Sequence, residues 1–167
     1  MRERKKKGTK QMKNSYSITD LERFIVVAKS KTYVGGAQKL LPYRLASKDI
    51  QFADHEWSYH DSYFGDQDFI GQEVVYFHAE PVWAMNYYGY ILDTELISSQ
   101  EAGKMIMNSL TKLYAEGRFL GGFETSEDEL RYDDSNEGDI RHFKGKERIF
   151  RNHIQVYELV YHGGLIK

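Results

Sequence analysis

The chain has 167 residues, a formal charge of −2 and 29% charged residues, which suits one domain burying roughly two thirds of its unfolded surface. The absence of cysteine excludes disulfides, thiol nucleophiles and thiolate metal sites, and fits a reducing compartment. No apolar run reaches membrane-span length and the basic N-terminus is not followed by an apolar segment, so the sequence predicts a soluble, cytoplasmic protein and no membrane partner.

Residues 1–14 hold seven Lys or Arg and one Glu, a net of +6, which leaves −8 on residues 15–167. This predicts a disordered basic tail over 1–14 ahead of one domain over 15–167. An acidic body repels phosphate backbones and disfavours nucleic acid, while an interaction module led by the tail stays as an alternative. Ser17 with Asp20 three residues on is a capping-box pattern. Ile18, Leu21, Ile25 and Ala28 form one helical stripe, so a helix is predicted over 18–30. Thr32-Tyr33-Val34 reads as a short strand stopped by Gly35-Gly36, and 49–52 as a second. Phe69 to Ile91 reads as a hairpin turning at Ala79-Glu80. Ser98 with Glu101 opens a second helix, with Ala102, Met105, Ile106, Leu110 and Leu113 as its apolar face and Gly117 as its stop. Phe119-Leu120-Gly121-Gly122 echoes the first Gly-Gly strand, and a second hairpin turns at Asn152-His153.

The two hairpins repeat one another. Phe, Gly, Glu, Val, Tyr and Gly recur at an offset of 74, at positions 69/143, 71/145, 73/147, 82/156, 87/161 and 89/163. With the flanking elements in the same order, this predicts an α+β body of two pseudo-repeats, about 17–92 and 98–167. Each would run helix, strand, strand, hairpin, and together they would form a mostly antiparallel sheet with two helices packed on one face. Alternation from the Ala79-Glu80 turn pairs Glu73 with Asn86 on one face. It places Val74, Tyr76, Trp83, Met85 and Tyr87 on the other, with Phe150, Tyr157, Leu159 and Tyr161 in the second copy. The aromatic face is then the core. Glu73 and Glu147 point together from the opposite face, where two carboxylates can share a cation or a proton.

From Gly36 to Phe69 the spacing is 33, against 21 from Gly122 to Phe143, so the first half carries 12 extra residues. That stretch includes Tyr43, Arg44, Trp57, Tyr59, His60, Asp61 and Tyr63, and loops on a rigid scaffold commonly carry function. The expected ligand-binding set is Arg44, Trp57, Tyr59, Asp61, Tyr63, Glu73, Asn86 and Glu147, taking a small molecule without catalysis. A small hydrolase or isomerase using Glu73 with His60 or Asp61 is the alternative; no catalytic residue is assigned. The six histidines lack metal-ligand spacing, and 133–139 is an acidic turn whose calcium-loop pattern fails at Lys144, so no metal is expected. No nucleotide or nucleophile-elbow motif is present, and the cofactor and the oligomeric state, a homodimer included, are left open.

The runs Asp61-Ser62-Tyr63-Phe64-Gly65, Phe69-x-Gly71-x-Glu73-Val74-Val75 and Pro81-Val82-Trp83-x-Met85-Asn86-Tyr87-Tyr88-Gly89 resemble a bacterial domain of unknown function. The resemblance runs from about residue 18 to the C-terminus. Members occur alone or after a helix-turn-helix module of a regulator, and none of their residues has an established role to carry over. That pairing implies an analogy with effector-binding domains of the GyrI-like kind, which are duplicated and hold ligands with aromatics and a buried Glu.

Overall fold

The computed structural model describes residues 15–33 and 38–167. The tail at 1–14 and the Gly35-Gly36 stop lie outside the described residues. Helix α1 (Ile18–Tyr33) is followed by β1 (Gln38–Lys39), β2 (Lys48–Asp54), β3 (Trp57–Gly65), β4 (Phe69–Phe77) and β5 (Glu80–Ile91). Helix α2 (Ser99–Ala115) then leads into β6 (Phe123–Glu127), β7 (Leu130–Asp139), β8 (His142–Arg151) and β9 (Ile154–Leu165). The strands form one antiparallel sheet in the order β1-β2-β3-β4-β5-β9-β8-β7-β6, so the molecule is α+β and mostly sheet. Among the described residues, no helix is long and apolar enough to cross a membrane.

Both helix starts follow from their capping boxes. The Asp20 N–H donates to Ser17 Oγ at 3.0 Å while the Ser17 N–H reaches back to Asp20 Oδ2 at 3.3 Å. Ser98 and Glu101 exchange the same bonds at 3.2 and 3.0 Å, and Gly117 (φ 76°) ends α2. Tight turns join the meanders. His78-Ala79 and Asn152-His153 both have positive φ at their two central residues, the twist that matches paired strands.

One hydrophobic cluster joins Leu21, Phe24, Ile25 and Ala28 of α1 and Ala102 and Met105 of α2 to the inward residues of β3–β5 and β7–β9. At its centre Trp83 stacks on Phe143 (centroids 5.7 Å, 18°) and meets Phe119 edge-on. The opposite side of the sheet is open to solvent, leaving Ile70, Tyr88 and Val160 exposed.

Several expectations are corrected. The first hairpin turns at His78-Ala79, one residue earlier than the sequence suggests, and its register slips between Val75 and Tyr76. Glu73 therefore faces Met85, and Asn86 faces Gln72, to which it is hydrogen-bonded at 2.9 Å on the solvent side. A one-residue register change moves a side chain to the other face, so Glu73 joins Trp83 and Tyr87 in the interior, while Val74 and Tyr76 leave it. The same irregularity between Ile149 and Phe150 turns Phe150 outward, under the Arg131 guanidinium at 4.2 Å. The stretch from Trp57 to Phe64 is not an inserted loop but strand β3, paired on both sides. Thr32 and Tyr33 belong to α1, Phe119–Gly122 is not a strand, and the acidic run 133–139 lies within β7.

Candidate functional site

The corrected register brings Asp61 of β3 opposite Glu73 of β4, both nearly excluded from solvent at 3% and 0% exposure. Buried carboxylates need partners. From α1, Lys29 Nζ lies 2.7 Å from Glu73 Oε1 and 2.5 Å from Oε2. From β5, the Tyr87 hydroxyl donates to Asp61 Oδ1 at 2.7 Å. Gly71 makes this possible, because a Cβ there would fall inside the Tyr87 ring. Burial first, then the Glu73 charge, pushes the Asp61 carboxyl up to about 7, against the Tyr87 bond and the Lys29 charge.

Across the sheet a second cluster uses the same residue types. Asp134 of β7 faces Glu147 of β8, the Tyr161 hydroxyl donates to Asp134 Oδ1 at 2.7 Å, and Gly145 leaves room for that ring. Burial raises Asp134 to about 6, opposed by the Tyr161 bond. Burial and then the Asp134 charge raise Glu147 to about 8. A cavity of about 30 Å³ touches Lys29, Tyr114, Asp134, Glu147 and Tyr161. The Tyr114 hydroxyl of α2 is held well above its usual range by burial and by Glu73, Glu147, Asp134 and Asp61.

The first cluster floors an opening on the helix side of the sheet. A cleft of about 370 Å³ lies between α2 and the inner face of β3–β5, reaching Asp61 and Tyr87 at its base. Tyr63, Phe69 and Tyr157 wall it on the sheet side, and Gly103, Ile106 and Met107 on the helix side. Beside Gly103 nothing stands within 4 Å of where a Cβ would be, so the missing side chain helps to keep the cleft open.

Of the residues expected at a site, Asp61 and Tyr63 line this cleft and Glu73 stands behind Asp61. Tyr59 is buried in the core. Trp57 packs between Phe24, Phe77 and Tyr16. Glu147 belongs to the second cluster. Arg44 and Asn86 lie on the outer face of the sheet, where Arg44 donates to the Ser62 carbonyl at 2.8 Å and covers Phe64 at 4.6 Å. Of the two partners expected for Glu73, Asp61 faces it and His60 does not. His60 turns outward, with Nε2 2.8 Å from Asp49 Oδ1 and its ring 4.7 Å from Tyr43. Burial alone would raise Asp49, but bonds from Ser47, Ser62, the Tyr43 N–H and His60 prevail and hold it below the usual carboxylate range. Among the described residues no group of three or more His, Asp or Glu is placed to hold a metal ion.

Sequence reasoning missed Lys29, Tyr87 as an Asp61 partner, and the Asp134–Tyr161 pair. The recurrence of Gly71 and Tyr87 at 145 and 161 carried that signal. The family assignment rests on the span of these residues. The chain belongs to the family described as a domain of unknown function, DUF5680, whose model matches residues 61–166. The match begins at Asp61 and takes in Glu73, Tyr87 and all of the second cluster, and leaves Lys29 and α1 outside it. No curated protein and no solved structure matches the chain.

Proposed function

We propose that this DUF5680 chain is a small-molecule-binding module whose ligand sits between α2 and β3–β5 on the Asp61–Tyr87 floor, without being turned over. One observation carries the reading. The cleft of about 370 Å³ has mostly apolar and aromatic walls and a few converging polar groups at its base, the composition of a small-molecule site. The body around it is read as two repeats, each contributing one helix and a four-strand meander, β2–β5 and β6–β9, with β1 added at the edge of the first. The matching Asp61–Tyr87 and Asp134–Tyr161 bonds, both 2.7 Å, support that reading.

A thermal-shift screen of metabolites against the wild-type chain and Gly103→Phe tests the binding reading. A ligand at 100 times its dissociation constant stabilises the native state by about 2.7 kcal/mol, so true ligands raise the midpoint of the wild type. The phenyl ring introduced by the substitution occupies the cleft and removes that shift. Hits that act equally on both proteins overturn the assignment.

Catalysis by Asp61 is the second reading, favoured by a carboxyl on the cleft floor that is raised to about 7 and faced by buried Glu73. It requires turnover of a screened hit that Asp61→Asn abolishes while binding persists.

A further inference from the structure

We infer that the cleft takes an organic cation: an amine or quaternary ammonium group carried on an apolar body. This rests on the binding reading of the same cleft and adds its charge selectivity.

The charged groups lining the cleft are all of one sign. Asp61 and Asp66 are its ionisable carboxylates, Thr32, Gln67 and Ser99 are neutral, and among the described residues no Lys, Arg or His lines it. The two nearby ammonium groups are already engaged. Lys29 is 4% exposed and pairs with both Glu73 oxygens, so it acts on Asp61 only through space. At the mouth, Lys48 pairs with Asp66 and donates to the Gly65 carbonyl at 3.0 Å. Asp61 is thus the carboxylate on the cleft surface to which no described cationic side chain is bonded; it accepts instead from the neutral Tyr87 hydroxyl. An anionic ligand would meet the Asp61 carboxylate with no cationic side chain in the cleft lining to offset it, in surroundings that water screens poorly.

The walls favour the same class. Tyr63, Phe69, Tyr87 and Tyr157 present ring surfaces whose negative faces attract cations. Lys48 gives an internal example, its Nζ standing 5.6 Å from the Tyr63 ring centroid. Ile91, Ile106 and Met107 supply the apolar end.

The groups facing Asp61 set the proton balance on binding. They are Glu73 from β4, Tyr87 from β5, Lys29 from α1 and Tyr63 on its own strand, with Tyr114 of α2 and Asp49 on the outer side of β2 acting through space; the α2 residues lining the cleft are not titratable. With the Asp61 carboxyl at about 7, a bound cation favours its ionised form and up to about half a proton leaves for solvent at neutral pH.

Three probes share one apolar body and differ in charge: 4-phenylbutylamine, 4-phenylbutanol and 4-phenylbutyrate. Calorimetric titration at neutral pH is expected to show the amine at least about tenfold tighter than the alcohol, and the butyrate weakest. Asp61→Asn, which keeps an acceptor for Tyr87, lowers the amine to the affinity of the alcohol and leaves the alcohol unchanged, which also certifies the fold. Alcohol or butyrate binding as tightly as the amine, or an amine indifferent to Asp61→Asn, overturns the inference. If Gly103→Phe still abolishes all binding in that case, the binding reading survives alone. If no probe binds, or Gly103→Phe leaves their binding intact, both fall.

Discussion

Lys29 and Glu73, 44 residues apart, form an ion pair inside the protein: Nζ lies 2.7 Å from Oε1 and 2.5 Å from Oε2, with 4% and 0% of the side chains exposed. The pair ties α1 to the middle of the sheet. Removing one partner strands the other charge, so Lys29→Met is expected to cost about 3–5 kcal/mol in urea denaturation. The double variant Lys29→Met/Glu73→Leu replaces both charges with apolar groups and recovers most of that loss. A double variant no better than the single would show that the pair does more than satisfy itself.

Stability should fall as pH rises from about 5.5 to about 8.5. Asp134, Asp61 and Glu147 are raised to about 6, 7 and 8 from ordinary values of 3.8, 3.8 and 4.5. The native chain therefore holds protons that the unfolded chain has released. The stabilisation these groups provide is full below their ordinary values and is lost as pH climbs through the raised ones. Carboxylates with lowered values, Asp49, Glu127 and Glu158 among them, reach their full contribution well below this window. The thermal midpoint is expected to be lower at about pH 8.5 than at about pH 5.5, and Glu147→Gln to shrink the difference. A flat profile would contradict the burial of these carboxyls.

Two glycines should respond oppositely to alanine. At Gly71 the added methyl meets the Tyr87 ring and pushes its hydroxyl off Asp61, an overpacking expected to cost about 1–3 kcal/mol. At Gly103, within α2 and beside open space, the same change gains about 0.5–1 kcal/mol of helix stability. Chemical denaturation of both variants checks the contrast.

The second capping box can be weighed directly. Ser98→Ala removes the acceptor for the Glu101 N–H and the donor to Glu101 Oε2 at 2.8 Å, and should cost about 1 kcal/mol. Glu101 keeps Arg151 at 2.8 Å, so the loss should be confined to the first turn of α2 and be visible as faster amide exchange there.

Local periodicity made the helices and hairpins legible. Both capping boxes, the stripes of α1 and α2, and the Asn152-His153 turn stand where their residue types indicate. The faces of the first hairpin were not legible, because a two-residue turn and an irregularity beside Val75 leave no compositional mark. Strand β3 was hidden by its polarity. Asp61 and Ser62 are both buried, on opposite faces, so the stretch shows no alternation of apolar and polar residues. Nothing local in the sequence marks Lys29, since its partner is far along the chain and only the folded sheet brings it near.

The sheet's free margins have a consequence for how the protein behaves in bulk. A nine-strand sheet with open ends is a template for end-to-end growth into fibres. Here β1 is two residues long and β6 five, too short to nucleate a long ladder. On β6, Glu124 and Glu127 place two carboxylates among five residues, charges that oppose the addition of a further strand. Concentrated solutions should therefore resist fibrillation, and neutralising Glu124 is the change that would weaken that resistance.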